Sequence, residues 1–229
     1  MKEGGLLKGG NRKEANWSKA QGFLREPFKE SLDRFREEVL EREDFDPTSL
    51  LQFGLFMSMG VLNVLKEVEK KFGEEGQNIV KEALIKTGYD VGKQMVDVNK
   101  IPSNMPDIEI MSFLATIINT QMWTSIEDPK IDNKDRCSFN ILWCPLQDIY
   151  KAFDCRVQRY FVQGIVNYFK DNVFESEKSN LQIKFESTIP AGADVCRFTV
   201  QRKETGVRDE WEAYSRDLER RALKKIEQK

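Results

Sequence analysis

Histidine is absent from the 229 residues. Because His is the usual general base near neutral pH and the commonest metal ligand, Ser-His-Asp chemistry, Cys-His chemistry and His-ligated zinc are excluded. Any catalysis must run on Cys, Asp or Glu, Lys, Tyr or a bound cofactor. A basic block is missing too: 36 Lys and Arg face 38 Asp and Glu, a net charge of −2. The electrostatic attraction that dominates nucleic-acid binding is therefore lacking, and no nucleic-acid partner is expected. Neither Gly-x-Gly-x-x-Gly nor a Walker loop occurs, so nucleotide chemistry is not indicated. Met1 to Gly10 shows no long apolar run behind a basic start, which reads as no signal peptide and a cytoplasmic location. The four cysteines, Cys137, Cys144, Cys155 and Cys196, are then expected as free thiols. The most apolar stretch, Leu50 to Leu65, is short for a bilayer span and interrupted by Gln52, Ser58 and Asn63. It reads as a buried helix, with no membrane partner.

Hydrophobic residues make up 40% of the chain and charged residues 32%, enough for one soluble domain with decorated ends. Residues 1–25, rich in Gly and Lys without period, read as a flexible N-terminal arm, 26–205 as the domain and 206–229 as an amphipathic C-terminal helix. From Pro27, apolar residues recur at helical spacing until Asp46-Pro47. A second helix is expected over 50–72 and a third over 74–98, joined at Gly73 and Gly76, the third with Ile79, Ala83, Leu84 and Val91 on its inner face. A short fourth helix is expected over 107–119.

Beyond Gln121 the period changes. Segments 121–126 and 136–143 alternate apolar and polar residues around the polar loop 127–135, and 181–188 alternates before turning at 190–194 into 195–200. Each pair reads as a hairpin. Between them, Ile149, Phe153, Val157, Phe161, Ile165 and Phe169, four apart, predict a helix from about Pro145 with a break near 153–155. At the end, Val207, Trp211, Tyr214, Leu218, Ala222 and Ile226 form one stripe of a charged helix. The expected class is α+β: N-terminal helices on an antiparallel sheet made of two hairpins that flank a central helix, closed by the C-terminal helix.

Three groups of residues carry a family likeness. Cys144 ends a strand and Asp148 follows four residues later; Cys155 lies nine residues before Gly164; Thr188, Gly192, Cys196 and Phe198 fit a Thr-Ile-x-x-Gly-Ala-x-x-Cys-x-Phe pattern. Through them, residues 121–200 resemble the L-2-amino-thiazoline-4-carboxylate hydrolase family, and are more distantly similar to the 4-vinyl reductase, or hydrocarbon-binding, domains. The first resemblance implies a hydrolase opening a small cyclic amidine or amide. The second implies a non-catalytic small-molecule-binding or accessory subunit. Two positions depart from the hydrolase pattern: Gln158 stands where an acid is usual three residues after the second Cys, and Arg197 where an acid is expected after the last. Both departures favour the second reading.

Opening an aminothiazoline requires a nucleophile at the amidine carbon and an acid for the leaving atom. Without His, the nucleophile would be a Cys thiolate and the base Asp148 or Asp194. Cys144 is the first choice, since a helix starting near Pro145 would favour its thiolate. Cys155 and Cys196 then act as supporting thiols, and Arg156, Arg159, Arg197 and Thr188 are candidates for holding a substrate carboxylate. Structural roles stand beside each: buried small hydrophobes for the cysteines, a first-turn helix acid for Asp148, ion pairs for the arginines. No cofactor is expected. The alternative left open is zinc or iron on the thiolates of Cys144, Cys155 and Cys196, whose spacing matches no zinc ribbon or knuckle. The expected partners are a small-molecule ligand and a second copy or another protein, reached through the N-terminal arm and the C-terminal helix.

Overall fold

A computed structural model describes residues 29–98, 105–174, 181–204 and 206–228. The N-terminal arm expected over residues 1–25 lies outside them. Helix α1 (Lys29–Arg34) runs on into a π turn, Phe35–Val39. Helix α2 (Thr48–Val98) is interrupted at Gly73, whose φ of 59° and ψ of −135° are open only to glycine. The join expected there thus divides α2 into two arms, 48–72 and 74–98. Helix α3 (Asp107–Ile117) ends in a second π turn, Ile118–Met122. Strands β1 (Ile126–Asn133), β2 (Arg136–Trp143), β3 (Leu181–Ser187) and β4 (Cys196–Arg202) form one antiparallel sheet in the order β1-β2-β4-β3. Helix α4 (Arg156–Asn172) separates the hairpins and α5 (Glu210–Glu227) closes the chain. The α+β class holds.

The inner face of the sheet presents Cys137, Phe139 and Ile141 from β2 and Phe198 and Val200 from β4. Phe139, Phe198 and Phe185 stack across three strands, with centroids 4.8 and 5.3 Å apart. Helix α3, buried through Ile108, Met111, Leu114 and Ile117, packs into the same core. Across it, α4 crosses α2 at glycines. A Cβ on Gly164 would stand 1.9 Å from the Ile85 carbonyl oxygen, and one on Gly88 would stand 1.9 Å from that of Phe161. Only hydrogen fits between these backbones.

Four expectations are corrected. Strand β1 occupies 126–133, the polar run read as a loop, while 118–122 continue α3. An edge strand tolerates Pro129 and charged side chains because one side of its backbone needs no partner. The helix expected from Pro145 begins only at Arg156. Turns precede it, and the Asp154 carboxylate accepts from the Lys151 N–H at 3.0 Å, a local bond that competes with helix. On α2, Ile79 and Ala83 face outwards because the inner side is set by Gly88 and Gly92. Leu50–Leu65 is likewise not a buried helix: Phe53 and Phe56 are each 65% exposed.

Candidate functional site

Between α3, α4, the inner face of the sheet and the start of α5 lies a cavity of about 160 Å³. Its walls are chiefly apolar, from residues such as Leu114, Ile118, Val162, Ile183 and Phe198. Cys144, Cys155 and Cys196 all line it, so the fold brings together thiols that are eleven and forty-one residues apart in the chain. Cys144 ends the strand as expected. No helix follows it, and its N–H donates instead to the Gln147 side chain at 3.1 Å. Cys155, not Cys144, holds the N-cap of a helix.

Burial pushes the Cys155 thiol up to about 12, with the neighbouring Cys196 and Cys144 adding to the effect. Cys196 is also raised, mainly by burial, although its Sγ accepts from the Ile189 N–H at 3.2 Å. That N–H belongs to the single 3-10 turn Ile189–Ala191, which ends at Gly192 with φ 98°. Desolvation thus outweighs the helix end, and at neutral pH Cys155 is a neutral thiol.

Among the described residues the cavity wall carries one charged side chain. Arg159, on the first turns of α4, lies beneath Phe185, Trp211 and Tyr214, its guanidinium carbon 4.3, 4.1 and 4.7 Å from their ring centres. One nitrogen, Nη2, donates to the Trp211 carbonyl and the Ser215 hydroxyl, both at 3.0 Å. Nε and Nη1 are buried without a hydrogen-bond partner. Burial brings Arg159 down to about 10, so it stays charged at neutral pH. The carboxylate that bears on it, Glu219, lies outside the cavity and is taken by Lys81 at 2.8 Å and the Tyr160 hydroxyl at 3.0 Å. Among the described residues no carboxylate lines the cavity.

Polar groups complete the wall. The Gln158 amide and the Thr188 hydroxyl are buried without a well-aligned hydrogen bond. The hydroxyls of Tyr150 and Tyr214 lie near enough to feel them, yet burial still drives Tyr150 up to about 12 and raises Tyr214.

The other expected site residues lie elsewhere. Asp148 and Asp194 are exposed and do not line the cavity. Arg156 is buried in a two-pronged pair with Glu69, at 3.2 and 2.5 Å, and does not line the cavity. Arg197 alternates to the outer face of β4, where it donates to Asn140 at 2.9 Å. Among the described residues no group of three or more Cys, Asp and Glu is arranged to hold a metal ion. The zinc or iron alternative finds no donor set there. Sequence reasoning missed Tyr150, and it placed Trp211 and Tyr214 on a docking stripe rather than over a cavity. Their spacing on that stripe was the available signal.

A family model described as L-2-amino-thiazoline-4-carboxylic acid hydrolase matches residues 54–200. The chain belongs to this family. The match takes in both arms of α2, the glycine crossing and every cavity thiol, well beyond the motif region around the hairpins. An uncharacterized protein of Archaeoglobus fulgidus is 48% identical over 200 residues, covering 86% of this chain and 88% of its own. Among solved structures, a trafficking protein particle complex subunit 3 from Naegleria fowleri, covalently bound to palmitic acid, matches 66% of this chain and 95% of its own. Its TM-score is 0.40 and its identity 14%.

In this member of the hydrolase family, the raised thiol makes a chemical prediction. Alkylation of Cys155 by iodoacetamide in the native protein should be slower at pH 8 than that of a free cysteine by about a thousandfold, rising about tenfold per pH unit. Peptide mass mapping reads the rate; a plateau below pH 9 would contradict the assignment. Stability shares the sign. A thiol raised by folding adds stability that is complete below its unfolded value near 9 and is lost as pH rises towards 12. The urea midpoint should therefore fall between pH 9 and 10. Above that range Arg159, lowered by folding, acts in the opposite direction.

Proposed function

We propose that the cavity binds a small molecule with a ring-sized apolar body and one carboxylate, held by Arg159. The observation that carries this reading is the Arg159 guanidinium, with Nε and Nη1 unpartnered and, among the described residues, no carboxylate in the cavity wall. A buried cation without a counter-ion costs folding energy, and a ligand carboxylate accepting from Nε or from Nη1 would recover part of it through a charge-assisted hydrogen bond. A volume of about 160 Å³ suits a ligand of one ring, since a cavity of roughly 150 Å³ accepts benzene. The family's named substrate has this size and charge.

Isothermal calorimetry with L-2-amino-thiazoline-4-carboxylate, benzoate and neutral benzamide tests the reading. The two carboxylates are expected to bind at least about tenfold more tightly than benzamide, a difference of about 1.4 kcal/mol. Arg159→Met should erase that difference. Equal binding of benzoate and benzamide to the native protein would sink the proposal.

Hydrolysis is the second reading, favoured by the convergence of the thiols on one cavity. Cys144 or Cys155 would add to the amidine carbon as the ring C–N bond breaks, the leaving nitrogen would take the thiol's proton through water because Gln158 replaces the usual acid, and a second water would then displace the thiol. The absence of a wall carboxylate among the described residues and the neutral Cys155 thiol weigh towards binding without turnover. Release of ring-opened product by the native protein, lost in Cys144→Ser or in Cys155→Ser, would reverse that order.

A further inference from the structure

The arm of α2 before Gly73 has two apolar faces. Leu62 and Leu65 pack against Leu146, Tyr150 and Val157. On roughly the opposite side, at about 100° per residue, stand Leu50, Phe53, Phe56, Met57 and Val64, between 47% and 65% exposed. Thr48 to Leu65 contains no charged residue. Gln52 and Asn63 break the exposed side, and an apolar face as wide as the remaining one is normally covered.

We propose that this outer face is a homodimer interface, in which the α2 helices of two copies cross antiparallel about a twofold axis at Met57. The patch is self-complementary, as an isologous contact requires. A twofold at Met57 sets Leu50 of one copy near Val64 of the other, and Phe53 opposite Val61, one residue from Gly60. A Cβ added to Gly60 or Gly54 would meet nothing within 4 Å, which leaves notches for an opposing ring.

Charge selects the antiparallel arrangement. The turn before α2, residues 41–46, carries Glu41, Glu43, Asp44 and Asp46 against Arg42, whereas residues 66–71 after the uncharged segment carry Lys66, Lys70 and Lys71 against Glu67 and Glu69, so the two ends differ in the sign of their net charge. Antiparallel crossing joins unlike ends and parallel crossing joins like ends. The acidic turn also disfavours an anionic lipid surface, although 48–97 is long and apolar enough to cross a membrane by length and composition. The area is sufficient. The five side chains expose on the order of 500 Å² per copy, at the upper end of what monomers leave uncovered, and two copies reach the ~1,000 Å² that a specific interface needs.

Sedimentation equilibrium on the full chain tests the proposal. A dimer is expected, and Met57→Glu, which sets like charges on the axis, should yield a monomer with an unchanged circular dichroism spectrum. Glu41→Lys/Glu43→Lys and Lys70→Glu/Lys71→Glu should each weaken self-association at low salt by about tenfold or more, and mixing the two variants should restore dimers. The proposal is overturned by a monomer at every concentration, by a dimer indifferent to Met57→Glu, or by a soluble monomer that binds phosphatidylcholine vesicles through this face.

Discussion

Gly164→Ala is expected to cost about 3 kcal/mol or more, an overpacking loss at the top of the usual range. Its new methyl would stand 1.9 Å from the Ile85 carbonyl oxygen and 2.6 Å from the Tyr89 nitrogen. Both are backbone atoms of α2, so no side chain can rotate out of the way, and the two helices must separate. Alanine recovers about 1 kcal/mol of helix propensity, which the clash outweighs. At roughly 2–4 °C per kcal/mol for a chain of this size, the melting temperature should fall by several degrees or more. Gly88→Ala meets the Phe161 carbonyl oxygen at the same distance and should cost a similar amount. Once one methyl has forced the helices apart, the second finds room, so the double variant should lose less than the sum of the singles. Urea unfolding of the four proteins measures this. A Gly164→Ala midpoint equal to the native one would mean that the crossing is looser than its geometry.

This crossing was half legible in the sequence. Gly164 stood out through its spacing from Cys155, and Gly73 was readable as a join. The inner face of the second arm was not, because hydrophobic periodicity gives weight to Ile79 and none to glycine. Where two backbones touch, glycines set the buried face and the larger apolar residues turn outwards. Strand β1 escaped for a related reason. Alternation marks a strand only when one face is buried and the other wet, and an edge strand carrying Glu127, Asp128, Pro129 and Lys130 shows neither signal. The stripe on α5 was legible, because Leu218 and Ala222 reach the core while Trp211 and Tyr214 turn towards the cavity.

For the site, type and spacing identified the thiols and Arg159, and tertiary structure decided the rest. Arg156 and Arg159 are three residues apart on one helix, yet Arg156 meets Glu69 from α2 whereas Arg159 meets rings from β3 and α5. Nothing local distinguishes them. Asp148 fails for another reason: its candidacy required a helix at Pro145, and the turns that replace it leave the side chain in solvent.

Removing Arg156 should be as damaging as crowding Gly164. Arg156 and Glu69 are both essentially inaccessible, at 0% and 2% exposure, and bind through two hydrogen bonds, with Gln77 donating to Glu69 at 2.6 Å and Arg156 to the Phe153 carbonyl at 2.8 Å. Arg156→Met strands a buried carboxylate, and Glu69→Leu leaves the buried guanidinium with only the Asp154 carboxylate, 3.6 Å away. Either single change is expected to cost about 3–5 kcal/mol, chiefly through the charge left behind. The double variant removes both charges and should lie closer to the native protein than either single. A coupling of about 2 kcal/mol or more in the urea double-mutant cycle would identify the pair as one unit. Strict additivity would show that water reaches the pair. The consequence extends to the cavity, because Arg156 opens α4 directly after Cys155 and two residues before Gln158. With that first turn released, Arg159 loses its fixed place beneath the rings. The single variants that remain folded should therefore also lose the preference for benzoate over benzamide, although neither altered residue lines the cavity.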